Sequence, residues 1–140
     1  MVERRRPAAL SAIAIVNGAA GVITFLFWAL VYVRLFRGGP IDDPALRASL
    51  SGTLGFLVGD VVWAVPLLIA AAAGLWRRRL WGRDLALMVN ALWVYSLTVI
   101  WVRDLHAGAV SPGALLFTPF ALFAVWATFA LWKHRRAFFS

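Results

Sequence analysis

Apolar residues gather in four long blocks, with the polar residues confined to short stretches between them. The blocks cover roughly residues 8–35, 52–76, 84–103 and 113–134. Each is close to the ~20 residues that cross a hydrocarbon core of about 30 Å. Lipid offers the backbone no hydrogen-bonding partner, so a spanning segment of this length folds as a helix. Short connections place successive helices side by side with alternating direction. The pattern predicts an all-α, antiparallel bundle of four transmembrane helices with short loops, forming one integral membrane domain over residues 1–140.

Composition sharpens this picture. The chain is 63% hydrophobic and 14% charged, whereas a soluble domain is about half apolar and a quarter charged. A water-soluble fold of this size has no place to hide so much apolar surface. The net charge of +8 does not indicate nucleic acid, because the cations sit at the ends of the apolar blocks rather than on one face. There they suit anionic lipid headgroups. The chain has no cysteine, which excludes disulfides and thiol chemistry. Arginine supplies 13 of the 14 cations, a coding bias that points to a GC-rich bacterial genome.

Charge also sets an orientation. Arg4, Arg5, Arg6, Arg77, Arg78, Arg79, Arg83, Lys133, Arg135 and Arg136 fall on one side of the predicted bundle. Arg34, Arg37, Arg47 and Arg103 fall on the other, among Asp42, Asp43 and Asp104. Lysine and arginine accumulate on cytoplasmic flanks, so both termini are expected in the cytoplasm and the chain in the cell (inner) membrane. The apolar stretch after Arg6 is longer than the core of a cleavable signal peptide, so it is expected to remain as the first span. Trp76, Trp81 and Trp132 are expected at the inner interface, and Trp28, Tyr32 and Trp101 at the outer one.

The connections carry some local chemistry. Gly38-Gly39-Pro40 is expected to end the first helix, and Asp43-Pro44 reads as an N-cap followed by proline at the first helical position. Residues 45–50 suggest a short interfacial helix, broken from the second span at Gly52. Residues 106–112 read as a plain turn. Pro119 falls inside the fourth block and predicts a kinked helix that begins near Gly113.

Few residues can carry chemistry. Asp60 is a carboxylate about eight residues inside the second span, where an unpaired charge costs roughly 2.5–3.5 kcal/mol near the centre. Such residues face a bundle interior or a wet cavity. Its reading is a proton or cation site, or a structural carboxyl that is protonated or paired with Arg34, Arg103, Tyr95 or a backbone amide. Asn17 and Asn90 share a depth at which they can bond to each other across the bundle. Gly55 and Gly59, like Gly18 and Gly21, are small residues at spacings that let helices approach closely, within one chain or between copies. His106 and His134 lie at opposite ends of their spans, and no metal-ligand spacing appears. Asp104 and His106 read as solvated loop residues. Nucleophile elbows, phosphate loops and dinucleotide fingerprints are lacking too. No cofactor is implied.

The stretch 59–68, with Gly59-Asp60, Trp63 and Pro66, is followed by Gly74-Leu75-Trp76 and Trp81-Gly82. Together with Trp93, Tyr95 and Thr118-Pro119-Phe120, it resembles small four-helix membrane proteins predicted in many bacterial genomes. That resemblance covers the last two thirds of the chain and implies topology but no activity. The expected function is non-catalytic: an accessory, assembly or scaffold component acting as a homo-oligomer or beside a membrane protein partner. The alternative is a small oligomeric proton- or cation-coupled transporter or channel using Asp60. An intramembrane enzyme acting on a lipid would draw on Asp60, Arg34, Arg103 and Asp104.

Overall fold

The computed structural model describes residues 7–35, 37–39 and 41–138. Arg4, Arg5, Arg6 and Pro40, which carry part of the orientation and loop reading, lie outside the described residues. The fold is all-helical. Helix α1 runs Ala8–Leu35, α2 Pro44–Gly59, α3 Val65–Trp76, α4 Leu80–Ala107 and α5 Pro112–Lys133. A π-helical turn, Asp60–Ala64, joins α2 to α3, and a short 3-10 turn, Arg135–Phe138, follows α5. Since α2, the π turn and α3 form one rod, four helices are long and apolar enough to cross a membrane: Ala8–Leu35, Pro44–Trp76, Leu80–Ala107 and Pro112–Lys133.

The second helix corrects one expectation. Asp43 does cap α2, its carboxylate accepting from the Ala45 N–H at 2.9 Å. The helix then continues through Gly52 without a break. Glycine weakens a helix interior by only about 1 kcal/mol, which an apolar rod in lipid overrides. The interruption falls instead at 60–64, where the Val65 N–H donates to the Asp60 carbonyl five residues back. Pro66 is the physical reason. It lacks an N–H and its ring crowds the carbonyl of the preceding turn, so a widened turn just before it relieves the conflict.

Chemistry at the other helix ends is local and legible. Helix α3 ends as Arg78 N–H bonds to the Leu75 carbonyl and Arg79 N–H to the Gly74 carbonyl, at 3.0 and 2.9 Å. This is the paired closing motif that needs a left-handed residue after the cap, and Arg78 supplies it at φ 52°. Gly108, at φ 66°, closes α4 in the same way. Ser111 opens α5, accepting from the Ala114 N–H. The helix starts at Pro112 and contains Pro119, as the pattern predicts.

Packing is uneven along the bundle. Leu10, Ile13, Ala14, Ala71, Leu75, Ala86, Ala127, Leu131 and Phe138 form one dense cluster. Many of its members are alanine, which brings backbones close where no hydrophobic effect drives helices together in lipid. The closest approach is Gly74 against Gly82: a Cβ on either would fall on the backbone of the other. At Gly21, a Cβ would lie 2.8 Å from Ile69 Cδ1, and at Gly18 it would meet Ala72 Cβ at 3.7 Å. The expected seam on α1 is therefore formed against α3. Gly55 and Gly59 face open space, and α2 contributes no buried residue.

Glycine substitutions separate these roles. Gly82→Ala is expected to lower stability by about 1–3 kcal/mol through overpacking. Gly55→Ala should stay neutral or gain up to about 1 kcal/mol from helix propensity. Thermal unfolding in one detergent checks both; equal loss in the two variants would contradict the packing.

Candidate functional site

Near the other end of the bundle the helices stand apart, and a cavity of about 360 Å³ lies between them. That is within the size range of small-ligand pockets. Its walls come from α1, α2, the π turn, Leu68 of α3 and α4, with the start of α5 closing one side. Thr24, Leu68 and Val89 line it at one end; Arg34, Arg103 and Ser111 line it at the other. Beyond Leu68 and Val89, both of which are buried, the chain closes into the alanine-rich cluster. The cavity arises because α2 packs little surface against its neighbours, while α1, α3, α4 and α5 close the rest.

Asp60 lies on this wall. Its Oδ2 accepts from Trp28 Nε1 at 2.8 Å, and among the described residues no donor meets Oδ1. The π turn starts at Asp60, so the shift in helix phase forced before Pro66 decides where this carboxylate points. Turns of this kind recur at functional sites. Trp28 is 7% exposed and its indole is a donor only, which makes it a fitting partner for a carboxylate in an apolar surround. Its ring meets Phe27 edge-on at 5.1 Å, and Phe27 meets Phe117 at the same distance. Trp93 stacks on Phe120 at 5.6 Å. These rings give the cavity an aromatic flank.

Two further polar groups sit deep inside. Thr24, 2% exposed, lines the cavity, and its hydroxyl has no hydrogen-bond partner. Asn17, 3% exposed, lies further into the packed half with its Nδ2 unpartnered. The expected Asn17–Asn90 bond is not formed. Asn90 donates instead to Thr128 Oγ1 at 3.0 Å, and that hydroxyl donates to the Ala124 carbonyl at 2.9 Å. Alanines between α4 and α5 bring Thr128 within reach, so Asn90 is satisfied across that seam.

The proposed partners of Asp60 are also corrected. Tyr95 is 67% exposed and faces away. Arg103 bonds to Asp104, with Nη2 to Oδ1 at 2.7 Å, and to Ser111 Oγ at 3.1 Å. Asp104 is not a solvated loop residue: it is 4% exposed and also accepts from the Ser111 N–H at 2.7 Å. It ties the end of α4 to the start of α5. Arg34 is exposed at the cavity mouth and makes no hydrogen bond or ion pair with the described residues. Trp28 is not an interfacial belt residue, since its side chain turns inward to Asp60. Trp101 likewise donates inward, to Thr118 Oγ1 at 3.0 Å. Trp76, Trp81 and Trp132 are exposed, as an interfacial belt requires.

Among the described residues no three His, Asp or Glu side chains converge as a metal site would need. What the arrangement offers is a single carboxylate oxygen with a vacant lone pair, a buried hydroxyl, aromatic walls and guanidinium groups at the mouth. A comparison with known proteins finds no matching family model, no matching curated protein and no matching solved structure.

A double-mutant cycle tests the Trp28–Asp60 bond. Trp28→Phe leaves the carboxylate without its donor and is expected to cost roughly 1–3 kcal/mol. The same change in an Asp60→Leu background should cost much less. Unfolding measured in one detergent reads the coupling; additive losses would show that the bond contributes nothing.

Proposed function

We propose that this chain is a non-catalytic, multi-pass component of the cell (inner) membrane whose working part is a ligand-holding cavity. The observation that carries the reading is the cavity itself, with one carboxylate fixed on its wall by Trp28 and a buried, unpartnered hydroxyl at Thr24. Buried polar atoms in native proteins are nearly always satisfied, so the unpartnered Thr24 hydroxyl beside open space suits a bound molecule or ordered water. A blind cavity suits holding better than conduction, because the alanine-rich cluster closes the path beyond Leu68. An accessory, assembly or scaffold role follows naturally, with the cavity as the place where a membrane molecule is held or presented.

The topology in this reading is an antiparallel bundle with both termini cytoplasmic. Contact pairs support it: Trp28 with Asp60, Gly21 with Ile69 and Gly18 with Ala72 run in opposite senses along α1 and the second rod. Asn90 with Thr128 and Trp101 with Thr118 do the same for α4 and α5. The cationic excess beside the packed end supports the orientation and contact with anionic headgroups there. On this orientation the cavity opens toward the outer leaflet. The lack of cysteine makes labelling direct: His134→Cys is expected to react only from the cytoplasmic side and Gly108→Cys only from outside. The reverse pattern would invert the topology.

A second reading is a small oligomeric proton- or cation-coupled carrier, and Asp60 on the cavity wall is what favours it. The two readings part on one variant. Asp60→Asn is expected to change stability or ligand retention while leaving ion flux in reconstituted liposomes at the background level of the unaltered protein. Flux that depends on pH and disappears in Asp60→Asn would replace the holding role with transport.

A further inference from the structure

The cavity's charges are arranged by depth, and that arrangement specifies a ligand. Arg34 and Trp28 share α1, six residues apart, so Arg34 stands roughly 9 Å further along the axis than the Trp28–Asp60 pair. Thr24 lies one turn deeper than Trp28 on the same face, since residues four apart stack on a helix. From the mouth inward the cavity therefore presents guanidinium groups, then aromatic and aliphatic walls with one carboxylate oxygen, then an unpartnered hydroxyl. Of the two guanidiniums at the mouth, Arg103 is already balanced by Asp104. Arg34 makes no ion pair with any described residue, so its guanidinium is the available cationic donor at this end of the cavity. Guanidinium matches carboxylate and phosphate oxygens with paired donors, and an apolar sleeve suits a hydrocarbon chain.

Resting on the holding role argued above, we propose that the cavity binds a single-chain anionic amphiphile of the membrane. Its acid head, carboxylate or phosphate, lies at Arg34 beside Arg103 and Ser111. Its chain passes Asp60 toward Thr24, and a hydroxyl or amide N–H on that chain donates to the free oxygen of Asp60. A cationic amphiphile fits less well, because its head would pass or rest against Arg34 to enter.

Photo-crosslinking in phosphatidylcholine nanodiscs tests this with the full chain. Three diazirine-bearing probes of equal chain length are used: a fatty acid, its alkyl phosphate counterpart and its alkyl amine counterpart. Adducts are mapped by mass spectrometry. Labelling of cavity residues such as Thr24, Phe56 and Leu97 by either acid, but not by the amine, is the expected result. The ratio of fatty acid to phosphate labelling assigns the head. Arg34→Ala should weaken acid labelling about tenfold, the effect of losing one charge-assisted hydrogen bond, and Arg34→Lys should restore part of it. Leu68→Trp, which narrows the deep end, should reduce labelling of Thr24 by every probe, with thermal unfolding confirming that the variant folds. Preferential labelling by the amine, or equal labelling by all three, would overturn the assigned head chemistry while leaving the cavity as a holding site. Labelling that is confined to lipid-facing residues and unchanged in Leu68→Trp would overturn the holding role itself.

Discussion

A carboxylate inside a hydrocarbon layer has to be held by something, and in this chain the Trp28–Asp60 hydrogen bond does that. Much of the structure follows from it. The bond joins α1 to the π turn of the second rod at the depth where the packed and open parts of the bundle meet. It orients the indole inward and builds the aromatic flank through Phe27 and Phe117. It also satisfies only half of Asp60. The other oxygen faces the cavity side and meets no donor among the described residues.

The two parts of the bundle use different physics. At the Leu10–Leu75–Leu131 end, alanine and glycine bring backbones into contact, and the Gly74–Gly82 approach fixes the turn between α3 and α4. There the small side chains make stability a matter of van der Waals fit. At the Arg34–Arg103 end, the residues are larger, α2 buries nothing, and the polar groups bond locally: Asp43 to its own helix start, Asp104 to Arg103 and Ser111. Rigidity at one end and space at the other is the arrangement expected of a site built on a stable scaffold.

The spans were legible in the chain because length and apolarity alone decide them. The cap at Asp43 and a helix that runs on through Pro119 are legible because they depend on residues adjacent in sequence. The break in the second helix was misplaced at Gly52, although Pro66 carried the signal for a widened turn just before it. Partners across the bundle were not legible. Depth alone pairs Asn90 with Asn17, yet rotation about the helix axis gives it Thr128. Depth likewise places Tyr95 and Arg103 near Asp60, while the tryptophan that does bond it reads in sequence as an interfacial belt residue. Depth follows from a one-dimensional pattern in a membrane chain, whereas azimuth depends on which helices touch. The Gly74–Gly82 contact spans a short loop and has no regular helical spacing to mark it, unlike Gly55 and Gly59, which face open space.

The spans enclose a cavity with a cationic mouth, one available carboxylate oxygen and a buried hydroxyl. Whether this space is occupied in the membrane can be read by native mass spectrometry of the protein gently extracted from its own membranes. One small amphiphile retained per copy, with less retained in Leu68→Trp, is the expected result. A bare chain, with an identical spectrum for Leu68→Trp, would mean that the cavity holds nothing.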